Sequence, residues 1–211
     1  MFFAGLHFAA VCEINALGGA VIEGVVPLAK AEICGVMPSR YNPNITGKVA
    51  QPDEPTAVVY LEGQFNSPAA TNATAQMDQK QFQFAPGLLA VQKGTLIEFP
   101  NLDDTYHNVF SYSKPRRFDL GRYRKDEKPA ALRFDSAGVI KLYCEIHEHM
   151  RGIILVLDTP YFVKTDSNGK FRLEDLPPGN FKLKAWLSEK TVLETQVTIK
   201  DGETLTVDFP H

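Results

Sequence analysis

Apolar residues in this chain fall in short runs: Val21–Pro27, Thr56–Leu61, Gln81–Phe84, Leu88–Val91, Thr95–Phe99, Asn108–Ser111, Val139–Cys144, Ile153–Leu157, Phe171–Leu173, Phe181–Trp186, Thr191–Ile199 and Thr204–Phe209. Val, Ile, Leu, Phe and Tyr dominate them, the residues that suit a pleated, half-buried surface. Clusters of Gly, Pro, Asn and Asp separate the runs and mark turns. Several runs alternate cleanly: Phe181, Leu183 and Ala185 fall on one face, Lys182, Lys184 and Trp186 on the other. No segment longer than a turn or two keeps a helical period. The pattern predicts an all-β protein.

Breaks in the pattern suggest an inserted unit. Residues 66–72 (NSPAATN) read as a linker, Arg116–Pro129 as a long charged loop, and Asp158–Thr159–Pro160 as a second boundary. They bracket a block at 73–158, with β-rich sequence at 20–72 and 159–211. Residues 1–19 are mostly small and apolar, but the first basic residue is Lys30 and Glu13 interrupts the run. Two readings stay open for them: a degraded or mis-started signal peptide, or an apolar N-terminal arm. No apolar run approaches the ~18 residues of a transmembrane helix.

Composition narrows the class. With 44% hydrophobic and 22% charged residues the chain has enough apolar sequence to fold, and a formal net charge of -3 gives no reason to expect nucleic acid or an anionic membrane surface as a partner. Three cysteines make no disulfide framework. Cys12 and Cys34 would pair only if the protein is exported; Cys144 has chemical neighbours. Oligomeric state is not legible.

Those neighbours are the sharpest signal. Cys144-Glu-Ile-His147-Glu-His149-Met150 places a thiolate, imidazoles and a thioether within seven residues, directly after a strand. Soft sulfur with imidazole suits copper or zinc rather than calcium or magnesium. A His₂Cys set with a weak axial Met is the arrangement of mononuclear blue copper, and it requires a second histidine from elsewhere. Of the five histidines, His7 and His211 sit at the chain ends, leaving His107, on the loop leading into Asn108–Ser111. Structural zinc prefers a closed Cys/His set, in which Met is a poor fourth ligand.

Gly94-Thr-Leu-Ile-Glu-Phe-Pro-Asn101, His107-Asn-Val-Phe110 and Gly138-Val-Ile-Lys-Leu-Tyr-Cys144-Glu-Ile-His147-Glu-His-Met150-Arg-Gly-Ile-Ile-Leu-Val156 together resemble the plastocyanin family, and the short Cys-x-x-His-x-x-Met loop looks most like amicyanin. The resemblance implies a cupredoxin Greek-key sandwich over 73–158. It makes His107 and His147 the equatorial nitrogens, Cys144 the thiolate and Met150 the axial ligand of one copper ion, with Asn108 bracing the cysteine loop. The sequence departs from the family in having Ile146 where Pro usually precedes the loop histidine, and in carrying His149, an extra candidate ligand.

Asp166-Ser-Asn-Gly169 begins like a calcium loop but lacks the later oxygen ligands, so a tight hairpin with Gly169 at positive φ is the simpler reading. The run through Leu176-Pro-Pro-Gly179 to Trp186 resembles the carboxypeptidase-regulatory-like (transthyretin-like) sandwich. Residues 163–209 are thin for a complete sandwich, so Val21–Pro27 and Thr56–Leu61 are expected to supply its missing strands. The combination resembles bacterial plastocyanin-like proteins of the methylamine-utilisation type.

The resemblance implies a non-enzymatic one-electron carrier, periplasmic or otherwise exported, that meets redox partner proteins. Copper buffering or chaperoning is the rival, supported by His149, Glu145 and Glu148; a structural or adhesive β-protein with a non-redox metal site is a third. Arg116, Arg117, Arg122, Arg124 and Lys125 are either a solvated loop or a docking patch for an acidic partner.

Overall fold

The computed structural model of the protein describes residues 19–28, 54–65, 69–127 and 131–210. The N-terminal leader reading, Cys12, Cys34, His7, His211 and part of the 66–72 linker lie outside them. Among the described residues there is no helix, and so none long and apolar enough to cross a membrane. Strands β1 (Ala20–Val25) and β2 (Val58–Glu62) come first. A middle block follows: β3 (Thr74–Gln76), β4 (Asp78–Lys80), β5 (Gln83–Ala85), β6 (Leu88–Gln92), β7 (Leu96–Glu98), β8 (His107–Ser111), β9 (Phe118–Tyr123), β10 (Leu132–Arg133), β11 (Gly138–Tyr143) and β12 (Arg151–Leu157). The chain ends with β13 (Phe162–Lys164), β14 (Lys170–Leu176), β15 (Gly179–Ser188), β16 (Thr191–Ile199) and β17 (Thr204–Thr206).

These strands make two sandwiches. In one, the sheet β14-β1-β17 faces the sheet β13-β2-β15-β16, so its strands come from both ends of the chain. Its core joins Ile22, Val59 and Leu61 to Phe171, Leu173, Leu183, Ala185 and Ile199. In the other, the sheet β6-β12-β11-β8-β9 faces β10-β7-β3, and the hairpin β4-β5 lies at its end. Its core includes Phe84, Ile97, Phe99, Val109, Phe134, Ile140, Leu142 and Ile154, together with Cys144 and Met150.

Strand alternation explains how the sandwiches meet. On β12, Ile154 and Val156 enter the second core, while Ile153, Leu155 and Leu157 point the other way. On β2, Val59 and Leu61 enter the first core, while Val58 and Tyr60 point away from it. The outward sets meet around Trp186 in a third apolar cluster. A strand buried on both faces reads as a continuous apolar run, which is why Ile153–Leu157 and Ala57–Leu61 lack a polar face. Lys141 and Glu189 close the edge of this seam with a 2.6 Å ion pair.

Two sequence expectations can be set against particular segments. The stretch Arg116–Pro129, expected to be a loop, contains β9, paired antiparallel with β8. Phe118 and Leu120 pack on the core and Tyr123 is buried, while Asp119, Arg122 and Arg124 face solvent. Charges on the open side of an edge strand hid its period. At the other site, Asp166 Oδ1 accepts the amides of Asn168 (2.9 Å) and Lys170 (2.8 Å), and Gly169 has φ +80°. The carboxylate closes a hairpin turn. A Cβ at Gly169 would lie 2.0 Å from the Val26 carbonyl oxygen, so only glycine fits.

Candidate metal centre

Two segments converge at one end of the second sandwich. His107 begins β8, and Cys144 to Met150 form the turn between β11 and β12. Because β11 pairs with both β8 and β12, the two segments are held side by side by backbone hydrogen bonds. The Met150 amide donates to the His147 carbonyl (2.9 Å) and tightens the turn.

The ligand atoms of His107, Cys144 and His147 all lie within 4.8 Å of one another. His107 Nδ1 is 3.0 Å from His147 Nδ1, which in turn is 3.8 Å from Cys144 Sγ. An ion held at about 2.0 Å by nitrogen and about 2.3 Å by sulfur sets its donors roughly 3–4 Å apart, so the donor set fits a single metal ion. His107 is fully buried, Cys144 is 3% exposed, and Met150 is fully buried in the same core. His149 stands outside the three-residue group; its ring centroid is 6.2 Å from that of His147, and its Nε2 is buried without a hydrogen-bond partner.

Surrounding groups set the protonation of the ligands. Burial disfavours the charged form of His107, but hydrogen bonds with Cys144 and Asp103 outweigh it and lift its pKa above the ordinary imidazole value. Burial would raise the Cys144 thiol; hydrogen bonds from His107 and from the backbone at Asn108, His147 and Ile146 win, and the thiol is more acidic than usual. Burial, with the neighbouring His107 and His149, lowers His147 to about 4. At neutral pH His147 is therefore in its free-base form, and the Cys144 thiol ionises more readily than an ordinary one; both shifts favour the forms that metal binding requires.

A network of polar residues supports this set. Asn108 accepts the Glu145 amide (3.3 Å) and donates to Asp119 Oδ1 (2.8 Å) and to the Gly121 carbonyl (3.2 Å), tying the cysteine turn to β9. Asp103, whose role was not legible in the sequence, accepts from His107 Nε2 at 2.8 Å, which fixes the imidazole so that Nδ1 faces the other ligands. Beneath the loop, Gln79 Nε2 reaches the Tyr123 hydroxyl (2.5 Å), which donates to the Phe99 carbonyl (2.7 Å). Asn101 Nδ2 holds the Thr105 and Tyr123 carbonyls, both at 2.9 Å.

The basic residues singled out in the sequence are not uniformly free. Arg122 pairs with Glu145 (2.7 Å), Lys125 pairs with Asp104, and Arg124 lies over the Tyr106 ring at 5.2 Å. Arg116 is partly buried, and its Nε is buried without a partner; Arg117 is exposed. Ile146, beside the ligand His147, is 40% exposed.

The sequence model of the family described as polysaccharide lyase family 4, domain II matches residues 156–207. No curated protein sequence matches the chain. Among solved structures, the chain is similar to the copper-containing nitrite reductase (NirK) from Thermus scotoductus SA-01, with 24% identity and TM-score 0.38, over 41% of this chain and 23% of that one. It is also similar to a reduced amicyanin variant, with 22% identity and TM-score 0.37, over 47% of this chain and 98% of that one. A purple cupredoxin from Nitrosopumilus maritimus shares 22% identity at TM-score 0.35, over 39% of this chain and 99% of that one.

Proposed function

We propose that the chain binds one copper ion through His107, Cys144 and His147, with Met150 as the weak axial ligand, and carries single electrons between protein partners. The observation that supports this most is the convergence of two imidazole Nδ1 atoms and one thiolate, at 3.0 and 3.8 Å, beside a buried thioether. Two nitrogens and a soft sulfur with a thioether nearby suit copper better than zinc. Copper bound there would supply a one-electron couple.

The chain's own residues do the rest. Asp103 and Asn108 hold His107 and the cysteine turn in place, so little has to move when charge changes. The core around Cys144 excludes water. Ile146 gives an apolar surface next to His147 where a partner can approach, with the Arg122–Glu145 ion pair on the same turn. A copper buffer would need ligands that open readily; His107, with no exposed surface, favours retention.

Cys144→Ser tests the assignment. Copper-loaded wild-type protein is expected to show an intense thiolate-to-copper band that the variant lacks. A band that survives the substitution would exclude Cys144 as the ligand.

A further inference from the structure

The hairpin β4–β5 has an unusual turn. Its two-residue loop is Gln81-Phe82, and both residues have positive φ, 53° and 60°. Two-residue hairpins of this hand favour Asn-Gly, because side chains with a Cβ strain there. A phenylalanine in that position is an outlier that surrounding contacts must hold in place. Here the contacts lead to the metal centre. Asp103 accepts the Gln81 amide on Oδ1 (2.7 Å), and accepts both the Phe82 amide (2.9 Å) and His107 Nε2 (2.8 Å) on Oδ2. One carboxylate therefore clamps the strained turn and orients a ligand.

The Phe82 ring is set edge-to-face against both ligand imidazoles, 5.7 Å from His107 and 5.0 Å from His147 between centroids. The base of the hairpin is equally fixed. Gln79 exchanges backbone hydrogen bonds with Pro100 (2.9 Å) and Leu102 (2.8 Å), and Phe84 lies against Gly152, where an added Cβ would come 3.0 Å from the Phe84 Cβ. The hairpin thus bridges the His107 loop and the start of β12.

We infer that the β4–β5 hairpin is a fixed cap on the metal centre, in which Asp103 holds the turn and Phe82 bars small external ligands from the His107–Cys144–His147 group. The role for bound copper rests on the electron-carrier reading; the shielding itself does not. A carrier gains from such a cap because an exogenous ligand on the metal would change its coordination between oxidation states.

The test uses the full chain with Gln81→Asn and Phe82→Gly combined, which relieves the turn while removing the ring. In the metal-free protein, iodoacetamide labelling of Cys144, followed on its own peptide by mass spectrometry, should quicken at least about tenfold, a change equivalent to one pK unit in the opening equilibrium, with the thermal midpoint unchanged or raised. In copper-loaded protein, azide should alter the electron paramagnetic resonance signal of the variant and leave the wild type unchanged. Should the double variant not fold, Phe82→Asn gives the same readout, since asparagine tolerates positive φ. Labelling at the wild-type rate in whichever variant folds would overturn the cap. A wild-type protein that never takes up copper would instead defeat the electron-carrier reading, with the labelling result standing on its own.

Discussion

The two sandwiches are built from similar apolar strands, yet they differ in what polar groups they bury. In the first, the buried polar side chains among the described residues are confined to Thr159 and Thr165, in the segments leading into and out of β13; Thr165 caps the Ala57 amide at 2.9 Å. In the second, Gln79, Thr95, Asn101, His107, Asn108 and Ser111 are all buried, most of them within the network beneath and beside the ligand set. A buried polar group is costly unless it is paired, so a concentration of them in one core marks a place where something other than stability is being specified. The first sandwich is a scaffold by this measure. The second carries the candidate metal centre.

The most severe way to break the comparison is to separate the halves. Residues 159–211 expressed alone lack β1 and β2, which contribute Ile22, Val59 and Leu61 to the first core. They are expected to give no cooperative thermal transition by circular dichroism; a sharp transition would show that the C-terminal strands suffice. Point changes come next. Leu61→Ala and Leu142→Ala each empty a fully buried site, at a cost of about 2–5 kcal/mol in denaturant titrations. Only the second is expected to alter the visible spectrum of the copper-loaded protein as well, and equal spectral effects would argue against a division of labour.

Asn108→Ala should cost about 1–3 kcal/mol, because it removes a buried side chain that accepts the Glu145 amide and donates to Asp119 and the Gly121 carbonyl. It should also broaden the copper signal, whereas Thr165→Ala should change stability alone. A smaller effect is expected from pH. His147 and His149 have pKa values below the ordinary imidazole value, so protonation favours the unfolded chain. The contribution of His147 to the stability of the metal-free protein is complete above the unfolded value of about 6.5 and is lost as pH falls toward 4, and that of His149 is lost in the same direction. His107, with its raised pKa, acts oppositely: its contribution is full below that value and lost as pH rises above it. Denaturation midpoints at intervals between neutral pH and pH 4 should therefore fall less steeply in His147→Gln than in wild type. Smallest of all, His149→Ala should leave the colour nearly intact, since His149 lies outside the ligand group.

The sequence made some of this legible and hid the rest for identifiable reasons. Cys144, His147 and Met150 stand out because a tight turn brings them together locally, and His107 because few histidines compete with it. The C-terminal strands of the first sandwich were readable from alternation such as that of Phe181–Trp186, and the need for N-terminal partners from how few strands 163–209 can supply. Asp103 was not, since an aspartate in Asn101-Leu-Asp-Asp104 looks like any turn residue until the hairpin folds over it. Nor was Phe82, because Gln-Phe carries none of the Asn or Gly that signals a two-residue turn of this hand. Gln79, between Asp78 and Lys80, has the composition of a surface segment, and only tertiary contacts such as those with Tyr123 and the Phe99 carbonyl make it a core residue. The seam at Trp186 was hidden in the same way. Two-sided burial lengthens an apolar run without saying what lies on its second face.

What the second sandwich holds is decided by titrating the metal-free full chain with Cu(II), followed by visible absorption and electron paramagnetic resonance. Uptake of a single equivalent, an intense thiolate-to-copper band and reversible bleaching on one-electron reduction are expected. Colourless binding without a reversible couple would contradict it.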